Sequence, residues 1–391
     1  MNARGSKGAP GAGGAGDIAI VGAGITGLSI AWHLAREQAG AVTLYDGSGV
    51  GAGATAIQPG GVRQQWASTL ACTMARESLA FYQQVDTLLE PEVPPTLDQC
   101  GYLFVAESAA ELAVLRERVA IQRAAGVPSQ LLDPQQAEEI VPGLPVDSLT
   151  GAAFCGQDGY FDRPQAVVAA FAKSAQQMGV ELVTEFVRSL ARDGDGWRLQ
   201  LADGTTQRAA RVVVAAAQSS ATLVHPLGVE LPIEQEARHL FYSDPVRERL
   251  LEPLVISSER HFAAKQLADG SVLASDLSAV GDPADGKSNW HSHVRRTITA
   301  LLPILEYVSF PVMVTGLYDV TPDAQPILGP VDGCDGLWVA AGLNGRGFMM
   351  APVIGRFIAQ SICGSTEEDP MRALSPQRFA TGELIHESQV V

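Results

Sequence analysis

The segment Ile18 to Val21, an unbroken apolar run that ends directly in Gly22-Ala23-Gly24-Ile25-Thr26-Gly27, constrains this chain more than any other stretch. Four consecutive apolar residues followed by glycine read as a strand buried on both faces, as in a parallel sheet. From Ile25 to Arg36 the periodicity changes, with Ile25, Leu28, Trp32 and Ala35 on one helical face. Ala41 to Asp46 supplies the next strand, so the opening is a βαβ unit. In that setting each glycine has a task. Gly22 permits the tight turn, Gly24 lets the backbone approach a pyrophosphate, and Gly27 lets helix and strand pack closely. Unpaired N–H groups at the helix start then face the phosphate charge. Asp46 ends the second strand, where its carboxylate can accept bonds from ribose hydroxyls.

The position of this unit at the head of the ordered chain, and the second Gly-rich loop from Gly49 to Arg63, favour FAD over a nicotinamide cofactor. That loop ends in Pro-Gly-Gly-Val-Arg and runs straight into a helical pattern, unlike a flexible linker. A long helix is expected from Ser68 to Glu90, a strand from Cys100 to Ala106 and a helix from Ala109 to Ala125. A strand at Gly151 is followed by a helix from Pro164 to Met178 and a strand from Val180 to Glu185. Asp195-Gly196, Asp203-Gly204 and Asp269-Gly270 are hairpin signals. One helix is expected from His293 to Val308. A last strand-to-helix unit runs from Leu337 to Ala341 and from Gly347 to Ile362.

The chain thus leaves the nucleotide-binding part and returns twice. The expected fold class is α/β, a Rossmann-like FAD-binding domain with a second α+β substrate domain built on an antiparallel sheet. Residues 17–95, 150–222 and 321–391 are assigned to the first domain and 96–149 and 223–320 to the second. Residues 1–16 read as a disordered Gly/Ala-rich tail and not as a secretory signal.

The formal net charge of −16 repels phosphate backbones and anionic lipid, so nucleic acid is not an expected partner. No apolar stretch approaches the roughly 18 residues of a membrane span. Five widely spaced cysteines without a CxxC pair speak against a disulfide framework or a zinc site and fit a reducing cytoplasm. His291 and His293 form an HxH pair with no evident third ligand, so no metal is expected.

Three blocks together resemble the D-amino-acid oxidase and sarcosine oxidase family of FAD-dependent oxidoreductases. The first runs from Asp17 to Arg63-Gln64-Gln65-Trp66. The second is Asp158-Gly159-Tyr160-Phe161-Asp162-Arg163-Pro164 with the following helix and the strand ending at Ala215 to Ala217. The third runs from Gly316-Leu317-Tyr318 through Thr321-Pro322-Asp323 and Pro326-Ile327-Leu328-Gly329 to the segment from Gly336 to Gly355. The resemblance implies FAD held by Gly22, Gly24, Gly27 and Asp46 at one end. Ala54, Thr55, Gly61 and Ala216 follow along its length, and Gly342, Asn344, Gly345, Gly347, Phe348 and Met349 lie near the flavin ring. A Gly-rich turn before a helix there would place N–H groups and the helix dipole at the ring edge that gains charge on reduction.

The family often binds a substrate carboxylate with an arginine and a second cation. Arg63 matches the first, and a guanidinium is the natural fork for a carboxylate. Met349 replaces the lysine of sarcosine oxidases, and Arg346 could supply the missing charge. Tyr318 matches a tyrosine near the substrate, and His239 and His261 on predicted strands are further candidates for the pocket. Where some relatives attach flavin through cysteine this chain has Gly316, and Ala54 to Gly61 contains no histidine, so non-covalent FAD is expected. The lysine that promotes reaction with oxygen has Ala274 at its matching position, with Lys265 on the other hairpin arm, which leaves oxidase and dehydrogenase both open.

The expected reaction is therefore hydride removal from the C–N bond of a small amine or amino acid (N-substituted glycine-like or D-amino acid), giving an imine. Oxygen or an unknown electron acceptor then reoxidises the flavin. Three rivals stay open: a 2-hydroxy acid oxidoreductase, an FAD-bearing subunit of a larger dehydrogenase, and a non-catalytic assembly protein. Self-association into a homo-oligomer is left open too.

Overall fold

The computed structural model describes residues 17–364 and 370–388, so the expected tail at 1–16 lies outside the described residues. The strand Ile18–Val21 is wholly buried and pairs in parallel with Val42–Tyr45 on one side and Arg211–Val214 on the other. Glu181–Val183 extends the sheet past Val42–Tyr45, and Leu337–Ala341 and Ile327–Pro330 extend it past Arg211–Val214, the last pairing antiparallel. Every strand here except the outermost runs parallel, as βαβ crossovers require.

Helix Ile25–Arg36 packs between helices Pro164–Gln177 and Gly347–Cys363. An added Cβ at Gly355 would overlap the Ser29 hydroxyl, so glycine there sets how close two of these helices come. Pro352 lies inside Gly347–Cys363 and cannot donate to the carbonyl four residues back. The Tyr82 hydroxyl donates to that carbonyl, Phe348 O, at 2.5 Å and restores the missing bond.

The second sheet has eight strands in the order Val312–Val320, Glu234–Tyr242, Val272–Asp276, Phe262–Gln266, Leu254–Ser257, Tyr102–Ala106, Gly151–Cys155, Gln130–Leu132. It is antiparallel apart from one parallel pairing, Tyr102–Ala106 with Leu254–Ser257. The strand Gly151–Cys155, which follows the expected boundary at residue 150, pairs on both sides within this sheet. Ala152 packs with Leu103 and Val105 on one face and Ala153 with Tyr102 and Phe104 on the other, and burial on this sheet decides the strand's membership.

Two helix assignments also change. Ser68 to Glu90 is two helices, Thr69–Tyr82 and Val85–Leu89, separated at Gln83-Gln84. The helix expected at His293 to Val308 spans Pro283–Leu301. Asp282 caps it by accepting from Ala284 N at 2.8 Å, Pro283 occupies the first turn, and Pro303 follows its end. Val294 and Ile298 on this helix bury the outer face of the sheet against Phe241, Phe262 and Ala274. Among the described residues no helix is long and apolar enough to cross a membrane, and no group of three metal-ligating side chains is present. All five cysteines are free.

Candidate active site

A cavity of about 620 Å³ runs from the carboxyl ends of the first sheet to the inner face of the second. Its first end is lined by Gly22, Gly24, Tyr45, Asp46, Glu185, Phe186, Arg188 and Ala216. Gly22 has φ +110 and its missing Cβ would overlap Ala215 O, while a Cβ at Gly27 would overlap Gly22 O. The turn is therefore closed to side chains, and the helix N-terminus stands open to the cavity. Asp46 accepts from Ala23 N and Ser48 N, both at 2.8 Å, which fixes its carboxylate at the cavity edge. Thr55 Oγ1 accepts from Ile25 N at 3.2 Å and ties the second Gly-rich loop to the first turn.

The cavity's other end is lined by Ile57, Gln58, Pro59, Arg238, Leu240, Val314, Gly316, Tyr318, Gly345 and Phe348. Gly345 carries the Tyr318 ring where a Cβ would be. The elongated shape, the side-chain-free turn and the buried, unpartnered Gln58 Nε2 at the far end fit an FAD lying along the cavity with its ring at the second sheet.

Of the cofactor residues expected from sequence, Gly22, Gly24, Asp46, Ala54, Thr55, Ala216, Gly345, Gly347 and Phe348 line the cavity. Gly27 lies directly behind it. Gly61, Gly342, Asn344 and Met349 are not among its lining residues. Gly61 lies in a short strand against the Tyr102 hydroxyl. Asn344 spends its amide on the turn itself, accepting from Thr321 N at 3.0 Å and donating to Thr321 Oγ1 and Gly342 O. Gly342 N donates to Asp319 Oδ2 at 2.8 Å, and burial raises the pKa of that carboxyl. Met349 packs into the core under the first sheet.

The substrate candidates divide. Arg63 and Arg346 are both buried and both lie against the Trp66 ring, 3.8 and 4.9 Å from its centroid. Tyr318 is an electrostatic neighbour of Arg63, and so is Tyr102, which sequence reasoning missed. Neither arginine lines the large cavity; they stand behind its ring end. Burial and the proximity of Arg63 lower the Arg346 pKa to about 10, and Arg346 donates to Ala324 O.

His239 lies on the face of its strand turned away from the cavity. Strand alternation sends Arg238 and Leu240 to the cavity and His239 to the opposite face. There it stacks on Trp290, with Nδ1 3.0 Å from Thr315 Oγ1 and Nε2 3.0 Å from Gly281 O. Both nitrogens are engaged, and burial lowers its pKa. His261 is exposed at a hairpin tip with φ 47 and is not among the cavity's lining residues.

The two arms of the Asp269-Gly270 hairpin differ in what they present. Ala274 faces the core under helix Pro283–Leu301, whereas Lys265 on the other arm faces inward. Its ammonium donates to Pro59 O at 2.9 Å and lies 4.2 Å from the Tyr160 ring centroid. Burial lowers its pKa to about 7. Register alone could not reveal which hairpin arm presents a side chain to the cofactor loop. Arg238 was missed for the same reason. Its guanidinium donates to Leu277 O at 2.6 Å and pairs with Glu236, while its Nε has no partner among the described residues.

Two large sheets, one carrying a phosphate-binding turn and the other an antiparallel wall at a ring-sized end of the cavity, define a class: flavin-dependent oxidoreductases. The family model described as FAD dependent oxidoreductase matches residues 17–361, and the chain belongs to that family. FAD is its cofactor. The chain is 25% identical to 4-methylaminobutanoate oxidase (formaldehyde-forming) of Paenarthrobacter nicotinovorans, with 92% of this chain and 45% of that protein covered. It thus spans about half the length of that relative. With sarcosine oxidase subunit beta of Rhodobacter capsulatus the identity is also 25%, over 95% of this chain and 90% of that one. Among solved structures, L-proline dehydrogenase from P. horikoshii matches with TM-score 0.88 and 26% identity, covering 96% of this chain and 100% of that chain.

Proposed function

We propose that this chain oxidises the C–N bond of a small amine or amino acid carrying a carboxylate, giving an imine that water hydrolyses. The observation that carries the reading is the convergence of Arg63, Arg346, Trp66 and Tyr318 behind the ring end of the cavity. Bound FAD supplies the two-electron acceptor for the hydride. The chain's own residues position and exclude. Tyr318, in the cavity wall, orients the reacting carbon, Arg63 and Arg346 just behind that wall draw the carboxylate to this end, and the aromatic walls keep water away.

Relatives named for secondary or N-methylated amines support the substrate class, since 4-methylaminobutanoate, sarcosine and proline share a carboxylate and a secondary amine. Gly316, which lines the cavity, offers no side chain for attachment, in keeping with non-covalent FAD. Lys265 under the cofactor loop favours oxygen as acceptor. A second reading, an FAD-bearing subunit of a larger oxidase, is favoured by the near full-length likeness to sarcosine oxidase subunit beta.

The test is anaerobic bleaching of the FAD-loaded protein with sarcosine, 4-methylaminobutanoate, proline, D-amino acids and 2-hydroxy acids in parallel. Bleaching by a secondary amino acid and not by its hydroxy analogue is expected. Bleaching by hydroxy acids alone overturns the reading. Bleaching without turnover in air points to a missing electron-accepting subunit.

A further inference from the structure

We infer that Gln58 donates a hydrogen bond from its side-chain amide to the flavin ring and thereby sets how readily FAD is reduced in this protein.

Gln58 lines the ring end of the cavity. Its amide oxygen is committed, accepting from Gly60 N at 2.6 Å. That bond fixes the amide's orientation and turns Nε2 away from the loop's own backbone. Nε2 is fully buried and has no hydrogen-bond partner among the described residues. A buried donor left without an acceptor is costly, so a chain retains one where something else completes it.

The loop cannot relax to hide this donor. Lys265 Nζ donates to Pro59 O at 2.9 Å and Phe161 N donates to Gly60 O at 2.9 Å. Gly60 has φ +78 and lies against the Phe161 backbone. The amide is held from both sides before any cofactor arrives.

Its place along the dinucleotide follows from its neighbours. Thr55 is tied to the phosphate-binding turn, whereas Ile57 already touches Gly316 on the second sheet. Gln58 is one residue further on, past the sugar-phosphate portion. The ring's nitrogens and carbonyl oxygens are the acceptors within its range. A preorganised donor in a water-poor site interacts more strongly with an acceptor that gains negative charge, so it favours the reduced ring over the oxidised one.

The test needs no substrate. The FAD midpoint potential is measured by equilibration with a reference dye in wild type, Gln58→Glu and Gln58→Leu, alongside FAD affinity and melting temperature. Gln58→Glu keeps the acceptor for Gly60 N and replaces the donor with a carboxylate. Its potential should fall by about 30 mV or more, a tenfold change in the two-electron reduction equilibrium. Gln58→Leu should fall in the same direction by less. An unchanged potential in both variants overturns the inference. So does lowered FAD affinity with unchanged potential, because the amide then contacts ribityl or phosphate oxygens. A variant that keeps its melting temperature yet takes up no FAD at excess cofactor counts against the inference in the same way.

Discussion

The adenosine end and the ring end of the cavity are built from different kinds of sequence. At the adenosine end one continuous stretch, Ile18 to Asp46, supplies strand, turn, helix and carboxylate, and Asp46 closes back onto Ala23 N within that stretch. At the ring end the wall comes from the loop at Ile57 to Pro59, the strands Glu234–Tyr242 and Val312–Val320, and the turn before Gly347. No two of these pieces are adjacent in sequence. The first end depends on which residues are small. The second depends on which face of each strand turns inward.

The sharpest way to break the first end is a side chain at Gly22. Gly22→Val combines a left-handed φ with overlap of Ala215 O, at about 4 kcal/mol, or roughly 1,000-fold in FAD affinity. Fluorescence titration with FAD measures it, and circular dichroism separates lost binding from lost folding. Near wild-type affinity would mean that the diphosphate does not sit on this turn.

At the ring end, Lys265→Met is expected to slow reoxidation by oxygen about 100-fold, the scale of one preorganised charge at a reacting centre. Substrate reduction of the flavin should stay within about threefold, because Lys265 contacts the loop and not the arginine cluster. Stopped-flow mixing resolves the two half-reactions. Equal loss in both would make Lys265 a brace for Pro59 and nothing more.

These two regions also differ in how far the sequence revealed them. Ile18–Val21 and Ile25–Arg36 were legible to the residue, because glycine spacing and periodicity are local signals. On the strand Glu234–Tyr242 the adjacent pair Arg238 and His239 was visible as chemistry. Alternation says that one of them faces the cavity, but the phase is set by the partner strand and by Trp290, both distant in sequence. Of the pair, Arg238 lines the cavity and His239 does not. Ala274 and Lys265 divide in the same manner across one hairpin, on opposite faces of the sheet. Asn344 lay within a recognisable motif, yet its amide serves the turn. Motif membership did not distinguish ligand from brace.

The two cations at the ring end can be separated directly. Arg63→Lys removes a forked donor from the proposed carboxylate site and should raise the substrate's apparent dissociation constant about 30-fold, near 2 kcal/mol. Arg238→Lys should change it by less than about threefold, since that guanidinium is held by Glu236 and Leu277 O. Rapid-reaction titration of flavin bleaching gives both constants. A reversal would move the carboxylate onto the strand wall, opposite Gly316, and Arg63 would become part of the support behind the ring.

Asp158 tests what holds that support together. It is fully buried and accepts from Gln64 N at 2.8 Å, Gln64 Nε2 at 3.3 Å and Gln65 Nε2 at 3.0 Å, which pins the segment carrying Arg63 and Trp66. Burial outweighs these donors and raises its pKa from 3.8 to about 6. The folded state therefore holds this proton more tightly than the unfolded chain. The resulting stabilisation is fully present below pH 3.8 and is lost as pH rises through about 6. In Asp158→Asn the ionisation is gone, but an N–H group now meets Gln65 Nε2, at a cost of about 1–2 kcal/mol at every pH. The variant should thus be less stable than wild type at pH 4, with the gap narrowing by on the order of 1–2 kcal/mol towards pH 7. Urea unfolding across that range measures the gap. A constant gap would mean that Asp158 titrates alike in both states and that its amide donors, not its burial, govern the charge beside Arg63.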